Sequence, residues 1–158
     1  MSEVDLVVER DDPRKADARA LLQTHVEFSQ GVTPAEHVHA VDADALAGPG
    51  VTFMSARQTG VLLGVGAVKN LDAGHGELKS MHVYRDARGQ GVARALLISL
   101  LDAARESGLD RISLVTGPGP DFAPARALYE SAGFTRCQAF VPYTDTDESV
   151  FMSLLLNP

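Results

Sequence analysis

One cysteine, Cys137, stands in 158 residues. A single thiol excludes an intrachain disulfide framework and any metal site built on several cysteines, and it points to a reducing, intracellular compartment such as the cytoplasm. Long apolar runs are missing too. None approaches the roughly 18–20 residues that span a bilayer, and the longest, Val92 to Leu101, is broken by Arg94. The first residues, Met1-Ser2-Glu3-Val4-Asp5, carry acids where a secretory leader carries bases followed by an apolar stretch. Basic residues are in deficit: 14 Lys and Arg against 21 Asp and Glu leave a net charge of −7. Such a chain is a poor candidate for general nucleic-acid binding, which needs a basic face, although a small local anion site remains open. No internal repeat or low-complexity tract occurs, and no linker divides the chain, so residues 1–158 are expected to form a single domain.

What is present suits a globular α/β (α+β) protein. Hydrophobic residues make up 45% and charged residues 22% of the chain, enough for a real core. Residues 4–9 alternate as a first strand. Asp12-Pro13 marks a helix start, with Ala18, Leu21, Leu22 and His25 at helical spacing. Thr33-Pro34 opens a second short helix in this reading. Residues 51–57 and 61–69 read as a hairpin about Gln58-Thr59-Gly60. Glu77 to Val83 alternates as a strand, with Glu77, Lys79, Met81 and Val83 on one face and Leu78, Ser80 and His82 on the other. Val92, Leu96, Leu97, Leu100, Leu101 and Ala104 form the apolar stripe of the strongest helix, stopped near Gly108. A strand at Arg111–Thr116, a short helix over Pro124–Ala132 and strands from Phe134 and over Val150–Leu156 complete the order.

The segment Arg88-Gly89-Gln90-Gly91-Val92-Ala93-Arg94 lies between the 77–83 strand and that strongest helix. A helix N-terminus presents unpaired amides and partial positive charge, and small residues let an anion approach them closely. The arrangement suits a phosphate or pyrophosphate, with Arg88 and Arg94 adding local charge. A tight turn that merely starts a helix is the plainer alternative. A Rossmann site would want a third glycine and an acid ending the next strand, which is Arg111-Ile112-Ser113-Leu114-Val115-Thr116 and has none there. The Gly-Lys-Ser/Thr of a Walker loop is absent.

Arg88-x-x-Gly91-x-Ala93, following a strand that ends in Val83, resembles the acyl-CoA pyrophosphate motif of the GNAT superfamily of N-acetyltransferases. Downstream, Ala125-Arg126-Ala127-Leu128-Tyr129-Glu130-Ser131-Ala132-Gly133-Phe134 resembles that family's second cofactor motif. The resemblance implies a GNAT-like fold: a single mixed, V-splayed sheet of six to seven strands flanked by helices. It implies acetyl-CoA in the splay, held by Met81, His82 and Val83 along the strand and by Arg88, Gly89, Gln90, Gly91, Val92, Ala93 and Arg94 at the turn, with Tyr129 also at the cofactor.

Acetyl transfer to an amine needs a neutral nucleophile, and an amine with pKa ~10.4 is mostly protonated at pH 7. A base must take that proton. Several family members use a glutamate at the position of Glu77, which makes it the first candidate. His75 and His82 are rivals because histidine titrates near neutrality. Tyr129 matches the family's general acid for the leaving thiolate. Plainer readings are a surface glutamate and a core aromatic. The resemblance places the amine acceptor among the first helices and the last hairpin, which points to His25, Phe28, His37, His39, Phe140 and Tyr143, with Glu77 facing the acceptor as well. His37-x-His39 lacks a third ligand and no metal is expected. The net acidity weakly favours a cationic amine. Three departures from the family pattern stand out: Arg85 where proline is common, Phe122 where an asparagine often helps hold CoA, and the stiff loop Thr116-Gly117-Pro118-Gly119-Pro120.

The leading expectation is an acetyl-CoA-dependent N-acetyltransferase acting on a small-molecule or peptide amine in a ternary complex. Cys137 has no adjacent base, which disfavours an acetyl-cysteine route. A CoA-binding module without catalysis is the competing reading, and a longer acyl donor is a third. Neither nucleic acid nor membrane is an expected partner, and family habit suggests a homodimer.

Overall fold

The computed structural model describes residues 6–32, 43–140, 143–144 and 149–156, and the side chains of residues 26–32 are not described. The described elements are β1 (Leu6–Arg10), α1 (Ala16–Val32), α2 (Ala43–Leu46), β2 (Val51–Gln58), β3 (Val61–Asp72), β4 (His75–Val83), α3 (Val92–Glu106), β5 (Arg111–Thr116), α4 (Ala123–Ser131), β6 (Thr135–Arg136) and β7 (Val150–Leu155). Seven strands form one sheet in the order β1-β2-β3-β4-β5-β7-β6. All neighbouring pairs are antiparallel except β4 and β5, which run parallel.

Helices cover both faces. The α3 stripe of Val92, Leu96, Leu97, Leu100 and Leu101 is buried together with Leu78, Val83, Ile112 and Leu114. On the opposite face Ala18, Leu21 and Leu22 of α1 pack with Phe53, Leu62, Val65 and Ala67. An amphipathic helix has nowhere better to put such a stripe than against a sheet.

One local expectation gives way. Asp12-Pro13 does not cap α1, which begins at Ala16. The Asp12 carboxylate instead accepts from the Arg14 amide at 2.9 Å and is clasped by the Arg14 guanidinium, which closes a separate turn before the helix. The segment opened by Thr33-Pro34 lies outside the described residues.

The larger correction concerns β4. Ser80 has φ +58°, in the left-handed region. Val65 pairs with His82 and Ala67 with Lys79, so Ser80 and Met81 together oppose the single residue Gly66. This is a β-bulge, and the extra residue reverses the side-chain phase of everything after it. Leu78, Met81 and Val83 consequently share the α3 face. His82 moves to the face of Glu77 and Lys79, against the strict alternation expected from the sequence. Gly66 makes room: a Cβ there would sit 2.6 Å from Met81 Sδ and 2.8 Å from Leu100 Cδ1.

Candidate active site

Just before the bulge the sheet forks. β4 and β5 pair only from His75↔Arg111 to Leu78↔Leu114. The rest of β4, Lys79 to Val83, leaves β5, and its backbone edge on that side has no β5 partner. A cleft of about 560 Å³ fills the fork, with Met81 and Val83 on one wall and Val115, Thr116 and Gly117 on the other. An extended ligand carrying amides can add to such an edge as a strand would.

At one end of the cleft β4 passes through a short 3₁₀ turn, Arg85–Ala87, to the glycine turn. Gly89 and Gly91 have φ +79° and +81°, a conformation that side chains with a Cβ avoid. Gly91 caps α3 with no side-chain hydrogen bond. Among the described residues no protein acceptor takes a hydrogen bond from the amides of Gly89 to Arg94, and the helix ladder begins with Ala95 donating to the Gly91 carbonyl at 3.0 Å. Val92, Ala93, Gly89 and Gly91 line the cleft, so these donors face an open space fit for an anion. Arg88 and Arg94 also line it. Arg88 Nε reaches the Val83 carbonyl at 3.4 Å and Arg94 Nη2 donates to Ser131 Oγ at 2.9 Å. The Gln90 side chain turns away to the Asp86 carbonyl.

α4 closes the second wall. Arg126 Nη1 donates to the carbonyls of Gly117 (2.6 Å) and Gly119 (3.0 Å), which pins the Gly-Pro-Gly-Pro loop to the helix. Phe122 lies on Gly117, where a Cβ would come within 2.4 Å of its ring. The aromatic found in place of an asparagine thus packs the loop rather than offering an amide. Tyr129 is buried, lines the cleft, and packs against Phe134 at 5.7 Å between ring centroids. Burial pushes its hydroxyl up to about 12, so it holds its proton at neutral pH.

Glu77 stands at the apex of the fork, paired with Ser113 one residue before β4 and β5 part. It is only 4% exposed yet lines the cleft. Its Oε2 accepts from the Tyr143 hydroxyl at 2.7 Å, and its Oε1 lies 3.4 Å from Lys79 Nζ. Lys79 Nζ also donates to Tyr143 Oη at 3.3 Å. Burial, and then the neighbouring Glu77 carboxylate, raise the Tyr143 hydroxyl well above its ordinary value. Sequence reasoning singled out Glu77 and Tyr143 separately and passed over Lys79. Its position two residues along the strand from Glu77, hence on the same face, was the available signal.

Phe140 props Tyr143 from behind, edge-on at 5.3 Å, and also meets Phe151 and His75. It does not line the cleft, and neither do His75 and Tyr143. His75 Nε2 is bonded to Ser113 Oγ at 2.7 Å. His25 and His82 do line the cleft and meet Nδ1 to Nδ1 at 3.0 Å. Burial pushes both down to about 4, which keeps the pair uncharged at pH 7. The Phe28 side chain, His37 and His39 fall outside what is described. Among the described residues no three His, Cys, Asp or Glu side chains gather as a metal site requires. No described helix is long and apolar enough to cross a membrane.

The sequence profile of the Acetyltransferase (GNAT) family matches residues 18–134. The chain belongs to the GNAT family of acetyltransferases. Its GNAT relatives include the uncharacterised N-acetyltransferase YsnE of Bacillus subtilis (strain 168), 39% identical over 143 residues that cover 90% of this chain and 95% of that protein. A crystal structure from Klebsiella pneumoniae, provisionally described as an acyl-CoA N-acyltransferase, superposes with TM-score 0.80 at 26% identity, covering 96% and 98% of the two chains. The provisionally described acetyltransferase yncA of Salmonella typhimurium shares the fold at TM-score 0.73 and 22% identity, covering 97% and 95%, and was solved with its cofactor acetyl-CoA. The forked seven-strand sheet is therefore the GNAT sheet, and the protein is an acyltransferase.

Proposed function

We propose that the protein transfers an acetyl group from acetyl-CoA to a primary amine, directly, within a ternary complex. One observation carries this reading: unpaired amides at the N-terminus of α3 open onto the same cleft that Glu77 and Tyr129 line. The CoA diphosphate sits on the amides of Gln90 to Ala93, with Arg88 and Arg94 beside it, and the pantetheine arm extends along the free edge of β4 at Met81, His82 and Val83. The thioester then reaches the apex of the fork. The acetyl-CoA found with the Salmonella fold neighbour supports the choice of donor.

Glu77 takes one proton from the ammonium of the acceptor. The freed lone pair attacks the thioester carbonyl, forming a C–N bond and a tetrahedral oxyanion, and a backbone amide near Met81 or Val83 donates to that oxyanion. One such donor contributes about 3 kcal/mol. Collapse breaks the C–S bond. Tyr129 gives its proton to the departing sulfur and regains one from the nitrogen, leaving amide, CoA thiol and a protonated Glu77 that returns its proton to water. Cys137 is exposed and away from the cleft, which supports transfer without an acetyl-cysteine. His25 lines the acceptor end, and Tyr143 holds the Glu77 carboxylate from behind. A cytoplasmic homodimer completes the reading.

The test is a thiol-release assay with acetyl-CoA against a panel of amines and amino acids, with the acetylated product confirmed by mass. Release of CoA thiol with matching acetyl-amine formation is the expected result. Tight acetyl-CoA binding with no transfer to any acceptor would overturn it.

A further inference from the structure

The acceptor end carries a charge that the transfer chemistry does not use. Lys79 Nζ is buried with a side chain only 8% exposed, on a wall of the cleft, 3.4 Å from the carboxylate proposed as base. Both side chains come from the same face of β4, two residues apart, and Tyr143 Oη touches both. The chain as a whole is acidic, but at this point the fixed charges are one negative and one positive.

A simple cationic amine that approaches Glu77 must also approach the Lys79 ammonium, and like charges in a dehydrated site oppose each other. An acceptor with a carboxylate one carbon from its amine reverses that opposition. Its ammonium replaces Lys79 on Glu77, its carboxylate replaces Glu77 on Lys79, and Tyr143 supplies a hydrogen bond to the pair. Each buried charge keeps a partner before and after binding, which removing either partner alone would not allow. A pair serving only the fold would be sealed from the cleft, whereas both members line it.

We infer that Glu77 and Lys79 form a zwitterion-reading pair and that the acceptor is a free α-amino acid, with Lys79 its carboxylate-binding residue. This rests on the transferase reading above. The transfer itself is unchanged: the amino nitrogen gains the acetyl group, the thioester C–S bond breaks, and the nitrogen's protons leave through Glu77 and Tyr129.

The experiment compares wild-type thiol release for free L-amino acids and for the matched amines that lack the carboxylate, such as phenylalanine with phenethylamine and histidine with histamine. At least one amino acid is expected to exceed its amine in kcat/KM by about tenfold or more. Lys79→Gln should bring that ratio close to one by raising KM for the amino acid, and Lys79→Arg should preserve most of it. Calorimetric binding of acetyl-CoA checks that the variants are folded. If Lys79→Gln does not fold, the wild-type pairs decide the matter alone. Amines used as well as amino acids, or a Lys79→Gln loss equal for both, overturns the inference while leaving the transferase reading intact. No release with either kind of acceptor, despite acetyl-CoA binding, overturns both.

Discussion

His25 on α1 and His82 on β4 meet Nδ1 to Nδ1 at 3.0 Å across a separation of 57 residues. One ring must donate and the other accept, so at least one of the two imidazoles is neutral. His82 reaches this position only because the bulge at Ser80 turned it to the α1 face.

A pH dependence of stability follows. Both rings have folded values near 4 against an ordinary 6.5, with burial the main cause. Below 6.5 the unfolded chain binds protons that the folded chain refuses, so stability is complete above about 6.5 and is lost as the pH falls toward 4. His75 is lowered in the same sense. The first proton on the His25–His82 pair accounts for on the order of 3 kcal/mol across that window. Denaturant unfolding between pH 7 and pH 4.5 should show the decline, and the double variant His25→Asn with His82→Asn should flatten it. An equally steep decline in the variant would remove the pair as its source.

The anion site is tested at Gly91. Nothing lies within 4 Å of a Cβ placed there, so Gly91→Glu has room and bears only the cost of the left-handed backbone, about 1–2 kcal/mol. Its carboxylate would stand at the positive end of α3 in competition with the diphosphate. Acetyl-CoA affinity, measured by calorimetry, should weaken by at least about tenfold. A folded variant that binds CoA normally places the diphosphate elsewhere.

Glu77→Gln and Tyr129→Phe separate the two proton-handling roles. The first should lower kcat by about 10²–10⁴-fold with little change in acetyl-CoA affinity. The second should cost less, about 10- to 100-fold, because a thiol of pKa ~8.5 leaves readily. Steady-state kinetics with the best acceptor from the panel gives both numbers. Unchanged kcat in either variant removes that residue from its role.

Gly66 tests whether the bulge holds the free edge of β4 open. In Gly66→Ala the new methyl meets Met81 and Leu100 at under 3 Å. An overpacked core loses about 1–3 kcal/mol, and displacing Met81 also disturbs the cleft wall. Thermal unfolding and acetyl-CoA titration should therefore worsen together. A stability loss with normal binding would show that the bulge is not what holds the edge of β4 open.

By itself the sequence determined whatever depends on residues near one another along the chain. The apolar stripe of α3 follows from spacing, and every residue of that stripe is buried, with Ala103 added beside it. The glycine turn follows from residue type, since positive φ at Gly89 and Gly91 is what glycine allows. The two cofactor motifs identified the family for the same reason: they are short, local and chemically constrained. The tertiary structure decided everything that required distant segments to meet. No local pattern marks Ser80, a non-glycine residue, as a bulge; the register with β3 and the close contact at Gly66 impose it, and the face of His82 changes with it. Tyr143 and Glu77 lie 66 residues apart. Lys79 becomes a site residue only when the segment between β6 and β7 brings Tyr143 over it. Local propensity fixes backbone shape over a few residues, but which charges share a dehydrated fork is set by packing across the sheet.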